Sequence, residues 1–167
     1  MLDFVKNVSL GFHISPEGTR VGAVTFGTEP TLSIPFDKYS VPRDLALAIE
    51  NIKYPGTITM TGKALALASK KLFDKASRIN VPKVLVVLTR GTSRDNVQAS
   101  AQALHRAGVT VISVGLGPVY NTNELSDIAS IPAAYHVIKT KFNELQDKVI
   151  ELQDKICQAK HNQQKQT

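Results

Sequence analysis

The pattern of apolar and polar positions predicts strands that alternate with helices along the whole chain. Two short runs, 83–89 and 109–115, are almost continuously apolar and rich in β-branched residues, which is typical of strands buried on both faces of a parallel sheet. The other predicted strands cover 19–26, 31–36 and 135–138, and the predicted helices cover 2–12, 42–52, 62–73, 95–107, 123–129 and the segment from 144. This alternation predicts a doubly wound, mostly parallel α/β sheet with helices on both faces.

The last predicted helix contains a near-perfect seven-residue repeat, 144–150 followed by 151–157. Its apolar positions include Leu145, Val149, Leu152 and Ile156. Two repeats are fewer than the roughly three or four that indicate a coiled coil, so we expect a helix packed on its own sheet. Residues after Ala159 are polar and predict disorder. We therefore expect one domain over 1–157 and a disordered tail over 158–167.

Composition narrows the class of protein. A length of 167 residues with 43% hydrophobic content fits one domain with a sizeable core. No run approaches the ~18 uninterrupted apolar residues of a membrane span. The chain opens inside an amphipathic pattern, so the sequence predicts no signal peptide. The single cysteine, Cys157, cannot form a disulfide within the chain, and none of the four histidines shares a zinc-ligand spacing with it.

The chain is basic, with a net charge of +6 and a pI of about 9.5, which permits attraction to polyanions. The densest basic stretch surrounds the helix predicted at 62–73. It comprises Lys63, Lys70, Lys71, Lys75 and Arg78. Such a stretch has two interpretations, a polyanion-binding surface or the solvated face of a helix.

The sequence motifs of common enzyme classes are incomplete. Gly56 and Gly62-Lys63 resemble a phosphate-binding loop, but the spacing is too long and Ala64 replaces the required Ser or Thr. The segment from Gly115 begins like a dinucleotide fingerprint, yet Tyr120 replaces its third glycine. No serine lies in a Gly-x-Ser-x-Gly elbow. Carboxylates such as Asp95 are expected to cap helices. An enzyme is therefore the least favoured class.

Arg90 lies where ligands are expected to bind. It follows directly on the apolar run 83–89, and open α/β sheets bind ligands at the carboxyl ends of their strands. We expect the segments 56–65 and 88–95 to face each other across this edge. A guanidinium at that position argues against a metal ion.

Six segments in order along the chain resemble the von Willebrand factor type A domain, a family common in matrix and adhesion proteins. The matching segments are 18–26, 56–65, 88–95, 108–115, 124–130 and the last helix up to Cys157. The resemblance covers 1–157. It implies the Rossmann-like fold of that family and a non-enzymatic role in adhesion.

The resemblance also implies a metal-ion-dependent adhesion site for Mg²⁺ or Mn²⁺. In the family, its ligands are an Asp-x-Ser-x-Ser loop, a threonine before a helix and an aspartate. Thr59 matches the threonine, with Thr57 as an alternative, and Arg90 matches the aspartate. The Asp-x-Ser-x-Ser loop is absent from the sequence. Because hard cations require oxygen ligands, we expect metal binding to be lost and no cofactor to be used.

The family's first strand, which is central in its sheet, is also absent from the sequence. Three outcomes are open: its two neighbours pair directly, another chain supplies the strand, or the chain is a piece of a longer protein. We favour the third. The resemblance then implies that Cys157 pairs with a cysteine upstream of Met1 in a secreted, extracellular parent protein.

Two functions follow from these expectations. The first is metal-independent binding of a protein, for example a matrix component such as collagen, at the vestigial site formed by Thr59, Arg90 and Ser93. The alternative is binding of a polyanion such as a glycosaminoglycan by a basic helix face. That face would comprise Lys70, Lys71, Lys75 and Arg78.

Overall fold

Helices and strands alternate along the chain, as the sequence predicts. The computed structural model describes residues 1–53, 56, 58–74 and 78–164. The elements are α1 (Leu2–Leu10), β1 (Ala23–Phe26), β2 (Pro30–Ile34), α2 (Pro42–Glu50), α3 (Thr61–Ala68), a π-helical turn (Ser69–Phe73), β3 (Lys83–Thr89), α4 (Gln98–Arg106), β4 (Val109–Leu116), α5 (Thr122–Ile128), α6 (Ala133–His136), β5 (Val137–Thr140), two 3₁₀ turns (Phe142–Glu144 and Gln146–Lys148) and α7 (Val149–Gln164).

The strands form two separate sheets. β3, β4 and β5 form a parallel three-stranded sheet with β4 in the centre. β1 and β2 form an antiparallel pair. Within the described residues, no strand pairs with β1 other than β2, and none pairs with β3 other than β4. The neighbours of the family's missing first strand therefore do not pair with each other directly.

Helices cover both faces of the parallel sheet. On one face, Leu65 of α3 and Leu104 of α4 pack against Val87 and Val111. On the other face, α1 and α7 pack against β4 and β5, with Phe4 and Leu152 almost fully buried. A third cluster, centred on α2, joins β2 to α1. The predicted doubly wound arrangement is confirmed.

The burial of β3 differs from the sequence prediction. The apolar run 83–89 predicts a strand buried on both faces, but only Val87 and Thr89 of β3 are buried and its other side chains are partly exposed. β4 is buried at every position except Thr110. The difference follows from position, because β4 lies between two strands whereas β3, in the part of the chain that the structure describes, pairs with β4 alone.

The last helix packs on its own sheet, as predicted, but it extends further than expected. Leu152 and Ile156 join the core cluster that includes β4. The sequence predicts disorder after Ala159, whereas α7 continues to Gln164. The side-chain amide of Gln163 donates to the carbonyl of Lys83 at 2.9 Å and accepts from its N–H at 2.9 Å. These bonds hold the end of α7 against the start of β3.

Two further boundaries differ from the predictions. The segment predicted as a strand at 135–138 begins with α6, and β5 starts only at Val137. The segment from Phe142 to Lys148 forms 3₁₀ turns before α7 begins. None of the described helices has both the length and the apolar character needed to cross a membrane.

Candidate functional site

The segments 56–65 and 88–95 meet at the carboxyl end of β3, as predicted. The Thr89 hydroxyl donates to the carbonyl of Gly91 at 3.0 Å and accepts from its N–H at 3.3 Å, which forms a tight turn after the strand. The Arg94 N–H donates to the carbonyl of Thr59 at 2.8 Å. A Cβ atom added to Gly91 would lie 3.6 Å from the Thr59 hydroxyl oxygen. Thr59 therefore lies beside the turn that carries Arg90.

The N-terminus of α3 is held by the loop that follows β3. The Thr61 N–H donates to the Ser93 hydroxyl oxygen at 2.9 Å. The N–H groups of Gly62 and Lys63 donate to the two Asp95 carboxylate oxygens at 2.9 and 2.7 Å. A carboxylate satisfies these otherwise unpaired N–H groups and interacts favourably with the positive end of the helix dipole. Asp95 is thus an N-terminal cap supplied by a distant segment.

This arrangement corrects the sequence prediction for Asp95, which was expected to cap its own helix. α4 begins at Gln98, whose N–H donates instead to the Asn96 side-chain oxygen at 2.9 Å. Gly62 permits the close approach of the two segments, because a Cβ atom there would lie 2.1 Å from the Asn96 carbonyl oxygen. The Ser93 hydroxyl in turn donates to Asp95 at 2.5 Å. The Ser93 hydroxyl is therefore part of the N-terminal cap of α3.

A second carboxylate supports the same loop. The Glu124 carboxylate accepts from the Ser93 N–H through both oxygens, at 3.0 and 2.9 Å. Burial raises the pKa of Glu124, the Ser93 N–H opposes this, and the negative charges of Asp95 and Asp127 raise it further. The sequence analysis included Glu124 in a segment that resembles the family but did not predict that it lies at the site. No spacing in the sequence indicates this contact.

Burial and hydrogen bonding shift the pKa of Asp95 in opposite directions. Burial by itself would raise its pKa, but the bonds from the Ser93 hydroxyl and from the N–H groups of Gly62 and Lys63 together hold the pKa below its usual value. The carboxylate is therefore ionised over the whole neutral range. Its negative charge interacts with the N-terminus of α3 through the N–H groups of Gly62 and Lys63.

Arg90 is exposed and stacks on an aromatic ring. Its guanidinium carbon lies 5.1 Å from the centroid of the Phe142 ring, within the range of a cation–π interaction. Phe142 follows β5 and is 52% exposed. It packs so closely against Gly117 (φ +83°) that a Cβ atom at that position would lie 2.7 Å from the ring. Sequence reasoning missed Phe142, although an aromatic residue just after the last strand lies at the ligand-binding edge.

The residues present do not fit a divalent cation held as in the family. Thr59 supplies one hydroxyl oxygen, and Arg90, which the resemblance matches to the family's aspartate, carries a positive charge that repels a divalent cation. Asp95 and Glu124 use their oxygens to hold the α3 N-terminus and the Ser93 N–H. Across residues 1–53, 56, 58–74 and 78–164, no three or more His, Cys, Asp or Glu side chains lie together in a way that could hold a metal ion.

Three of the four residues predicted to bind a polyanion lie in the described part of the chain, and the polyanion surface stays a prediction. Lys70 and Lys71 are exposed on the π-helical turn. Arg78 instead donates to the backbone carbonyls of the loop before β1, at 2.9 Å to Glu17 and 2.5 Å to Gly18. Lys75 and the alternative ligand Thr57 lie outside the described residues. Of the four predicted cations, two are therefore placed on the exposed surface.

The chain belongs to the von Willebrand factor type A domain family, whose model matches residues 1–151. The human collagen alpha-1(XXI) chain is 37% identical over 134 residues, covering 80% of this chain and 14% of that protein. Mouse vitrin is 38% identical, covering 81% of this chain and 21% of that protein. Human cochlin is 34% identical, covering 84% of this chain and 26% of that protein. The chain thus spans about a quarter or less of the length of these relatives.

Solved structures support the same assignment. Proximal thread matrix protein 1 from the mussel byssus superposes with a TM-score of 0.88 and 26% identity, covering 94% of this chain and 42% of that one. The same mussel protein has also been solved with a zinc-occupied adhesion-site motif, at a TM-score of 0.87. Manganese-loaded TRAP protein from Plasmodium vivax superposes with a TM-score of 0.72 and 16% identity, which shows a shared fold.

Proposed function

We propose that the chain is a non-enzymatic protein-binding module of a secreted extracellular-matrix protein. Membership of the von Willebrand factor type A family supports this function, as does the likeness to a collagen chain, vitrin and cochlin. Because the chain spans only a small part of these relatives, the module acts as one segment of a longer parent. In that parent, Cys157 pairs with a cysteine upstream of Met1.

The observation that carries the proposal is the Arg90 guanidinium stacked on Phe142 at the carboxyl end of the sheet. In the family, a metal ion at this edge binds an acidic group of the partner. Arg90 supplies positive charge at the same edge, and a guanidinium forms two parallel hydrogen bonds to a carboxylate. Phe142 restrains the guanidinium and offers an apolar surface beside it. The binding partner is a matrix component such as collagen, recognised through an acidic side chain.

Binding of this kind requires no metal ion. The carboxylates of Asp95 and Glu124 are committed to the structure of the loop, and Arg90 repels a divalent cation. The metal-ion-dependent adhesion site is therefore degenerate, and Thr59 contributes only a hydroxyl beside Arg90. Chelating agents should leave binding unchanged.

Surface plasmon resonance on immobilised collagen tests the proposal, with wild-type chain, Arg90→Ala and Arg94→Ala. Arg94 is the matched control, because it is an exposed arginine of the same loop and its backbone bond to Thr59 survives the substitution. Loss of a charge-assisted hydrogen-bonded pair costs about 1.5 kcal/mol or more, so Arg90→Ala should weaken binding about tenfold. Arg94→Ala should change affinity less than about twofold.

The same measurements in EDTA and in Mg²⁺ or Mn²⁺ test metal independence. Equal affinity in all three buffers is the expected result. Binding that requires a divalent cation, or that is equally strong for wild type and Arg90→Ala, would contradict the proposed role of this edge. Titration calorimetry with MgCl₂ alone should give no saturable heat.

A further inference from the structure

The sequence contains one acceptor triplet for N-linked glycosylation, Asn7-Val8-Ser9. The modification requires an asparagine followed two positions later by serine or threonine, with no proline between them. The other asparagines of the chain have no serine or threonine at that second position. Such a triplet also arises by chance, so the surroundings of Asn7 in the fold decide whether it is a usable site.

The fold places the side chain of Asn7 on the outer face of α1. Phe4 and Val8 of this helix are buried in the core cluster that includes β4. Asn7 is exposed, as are Asp3 and Leu10, which lie about one helical turn before and after it. These three side chains share one face of the helix, and that face is open to solvent.

The side-chain amide of Asn7 has room for one further substituent. Its nitrogen donates to the side-chain oxygen of Gln146 at 3.1 Å, and Gln146 is itself exposed. Within the described residues, this nitrogen has no second hydrogen-bond acceptor. Because a primary amide nitrogen carries two hydrogens, one hydrogen can be replaced while the other keeps the bond to Gln146.

We propose that Asn7 is N-glycosylated as the chain enters the secretory compartment, which rests on the extracellular location assigned under the proposed function. The donor is an oligosaccharide linked to a lipid pyrophosphate. The Asn7 amide nitrogen attacks the anomeric carbon of the first sugar, forms a nitrogen–carbon bond and loses one proton. The bond between that carbon and the pyrophosphate oxygen breaks, and the lipid pyrophosphate leaves with the electron pair.

The folded structure sets the order of modification and folding. The Ser9 hydroxyl, which the acceptor triplet requires, donates to the carbonyl of Val5 at 2.7 Å, and Ser9 is only 7% exposed. Once α1 has formed, this hydroxyl is no longer available to a transferase. The sugar is therefore attached before α1 folds, and the exposed position of Asn7 lets the helix form with the sugar outside.

The attached sugar covers a defined flank of the domain. It projects from α1 beside Gln146, which lies in the second 3₁₀ turn before α7. Leu10 is 41% exposed on the same face of α1, within reach of a sugar on Asn7. The oligosaccharide thus shields this apolar side chain and closes the flank to a protein partner.

Expression of the full 167-residue chain in mammalian cells, behind a supplied secretory signal, tests the proposal. Peptide N-glycosidase should shift the electrophoretic band of the secreted chain to the position of the unmodified chain. Mass spectrometry should then show Asn7 converted to aspartate, because this enzyme hydrolyses the side-chain amide and leaves a carboxylate. A secreted wild-type chain whose band and mass do not change on treatment would overturn the proposal.

Substitutions within and outside the triplet locate the site. Asn7→Gln and Ser9→Ala should each abolish the shift, in the cell lysate as well as in the medium, so a folding defect cannot hide the result. Ser9→Thr keeps the hydroxyl and should keep the shift. Asn143→Gln is the matched control, because Asn143 is exposed but lies outside any triplet, and it should also keep the shift. A shift that persists in Asn7→Gln would contradict the assignment.

The secreted material also tests the placement of Asn7 on the outer face. The glycosylated chain should melt at the same temperature as secreted Asn7→Gln or higher, since the sugar displaces no neighbouring element. Retention of the glycosylated chain in the cell, with only unmodified chain in the medium, would show that the fold does not accept the sugar and would overturn the proposal.

This test is separable from that of the proposed function. The secretory signal is supplied and no readout involves Arg90 or collagen, so absence of the shift counts against Asn7 alone. A fully glycosylated chain that binds no collagen would count against the proposed function alone.

Discussion

β3 and β4 have similar sequences and different surroundings. Both are short, β-branched apolar runs, yet β4 is buried along nearly its whole length whereas β3 is partly exposed. β4 has a hydrogen-bonded strand on each side, whereas among the described residues β3 pairs with β4 alone. Helices cover the faces of both strands, but β4 is also flanked by a strand on each side. The burial of a strand in a parallel sheet is thus a property of its place in the layer.

The loop after β3 links the side of the molecule around β1 to the side around β4 at the carboxyl edge of the sheet. α3 packs on β1 and β2, and its N-terminus is capped by Asp95 and Ser93 from the loop after β3. Arg94 adds a backbone bond to Thr59 across the same junction. These bonds connect the side around β1 to the side around β4 without a continuous sheet. The candidate binding site and the structural junction therefore occupy the same place.

The largest expected difference between β3 and β4 is the loss of unfolding free energy when a valine is replaced by alanine. Val114→Ala on β4 removes two methyl groups from a site with 0% exposure and should destabilise the chain by about 2 kcal/mol. Val86→Ala on β3 removes the same groups from a partly exposed site and should cost about half as much. Urea unfolding of both variants measures the two costs. Equal costs would show that β3 is as well packed as β4.

The junction between the two sides should be sensitive to pH. Asp95→Asn weakens the cap of α3 and should cost about 1 kcal/mol at pH 7. Because the folded-state pKa of Asp95 lies below its usual value, its stabilisation is full above that usual value and is lost as the pH falls through the folded-state pKa. The difference in unfolding free energy between wild type and variant should therefore shrink in strong acid.

Urea unfolding at several pH values measures this difference, with Asp154→Asn as the control. Asp154 is exposed on α7, so its replacement should change stability little at any pH. Glu124 titrates in the opposite sense and is present in both proteins, but the charge of Asp95 raises its pKa, so Asp95→Asn also relieves part of that repulsion when Glu124 is ionised. A difference that grows as the pH falls would contradict the assignment of Asp95 as an ionised cap.

The smallest expected effect concerns the exposed lysines, which lie beside α3 on one side of the molecule and beside β5 on the other. The measured quantity is the salt dependence of heparin retention. Lys70→Gln with Lys71→Gln removes two exposed cations beside α3. If these lysines contact a polyanion, the salt dependence of heparin retention should fall by about one unit of slope per lysine. The matched pair Lys139→Gln and Lys141→Gln lies on the side of β5 and should leave the slope unchanged. Equal effects from both pairs would show non-specific attraction to a basic protein.

The sequence predicted the order of elements and the meeting of segments 56–65 and 88–95 at one edge of the sheet. The apolar runs 83–89 and 109–115 became β3 and β4, since local composition suffices to specify a strand. The position of Arg90 after β3 followed from the end of the apolar run. The facing of segments 56–65 and 88–95 was expected from the end of the same strand, and the structure places Thr59 beside the turn that carries Arg90.

Roles that depend on distant contacts could not be predicted in this way. Asp95 was expected to cap its own helix but caps α3 across a separation of 33 residues, because an N-terminal cap is recognised by proximity in space. Phe142 reaches Arg90 only because Gly117 leaves room for its ring. The sequence predicts that Arg78 belongs to a basic surface, yet its guanidinium donates to backbone carbonyls of the loop before β1.

The sequence by itself therefore determined the family, the succession of strands and helices, and the position of Arg90 at the end of an apolar run. Each of these is encoded by neighbouring residues or by their order along the chain. The tertiary structure alone decided which carboxylates are committed to capping, that Phe142 lies against the guanidinium, and that β4 rather than β3 is buried along most of its length. These properties depend on lateral contacts between segments far apart in sequence, and no local pattern records them.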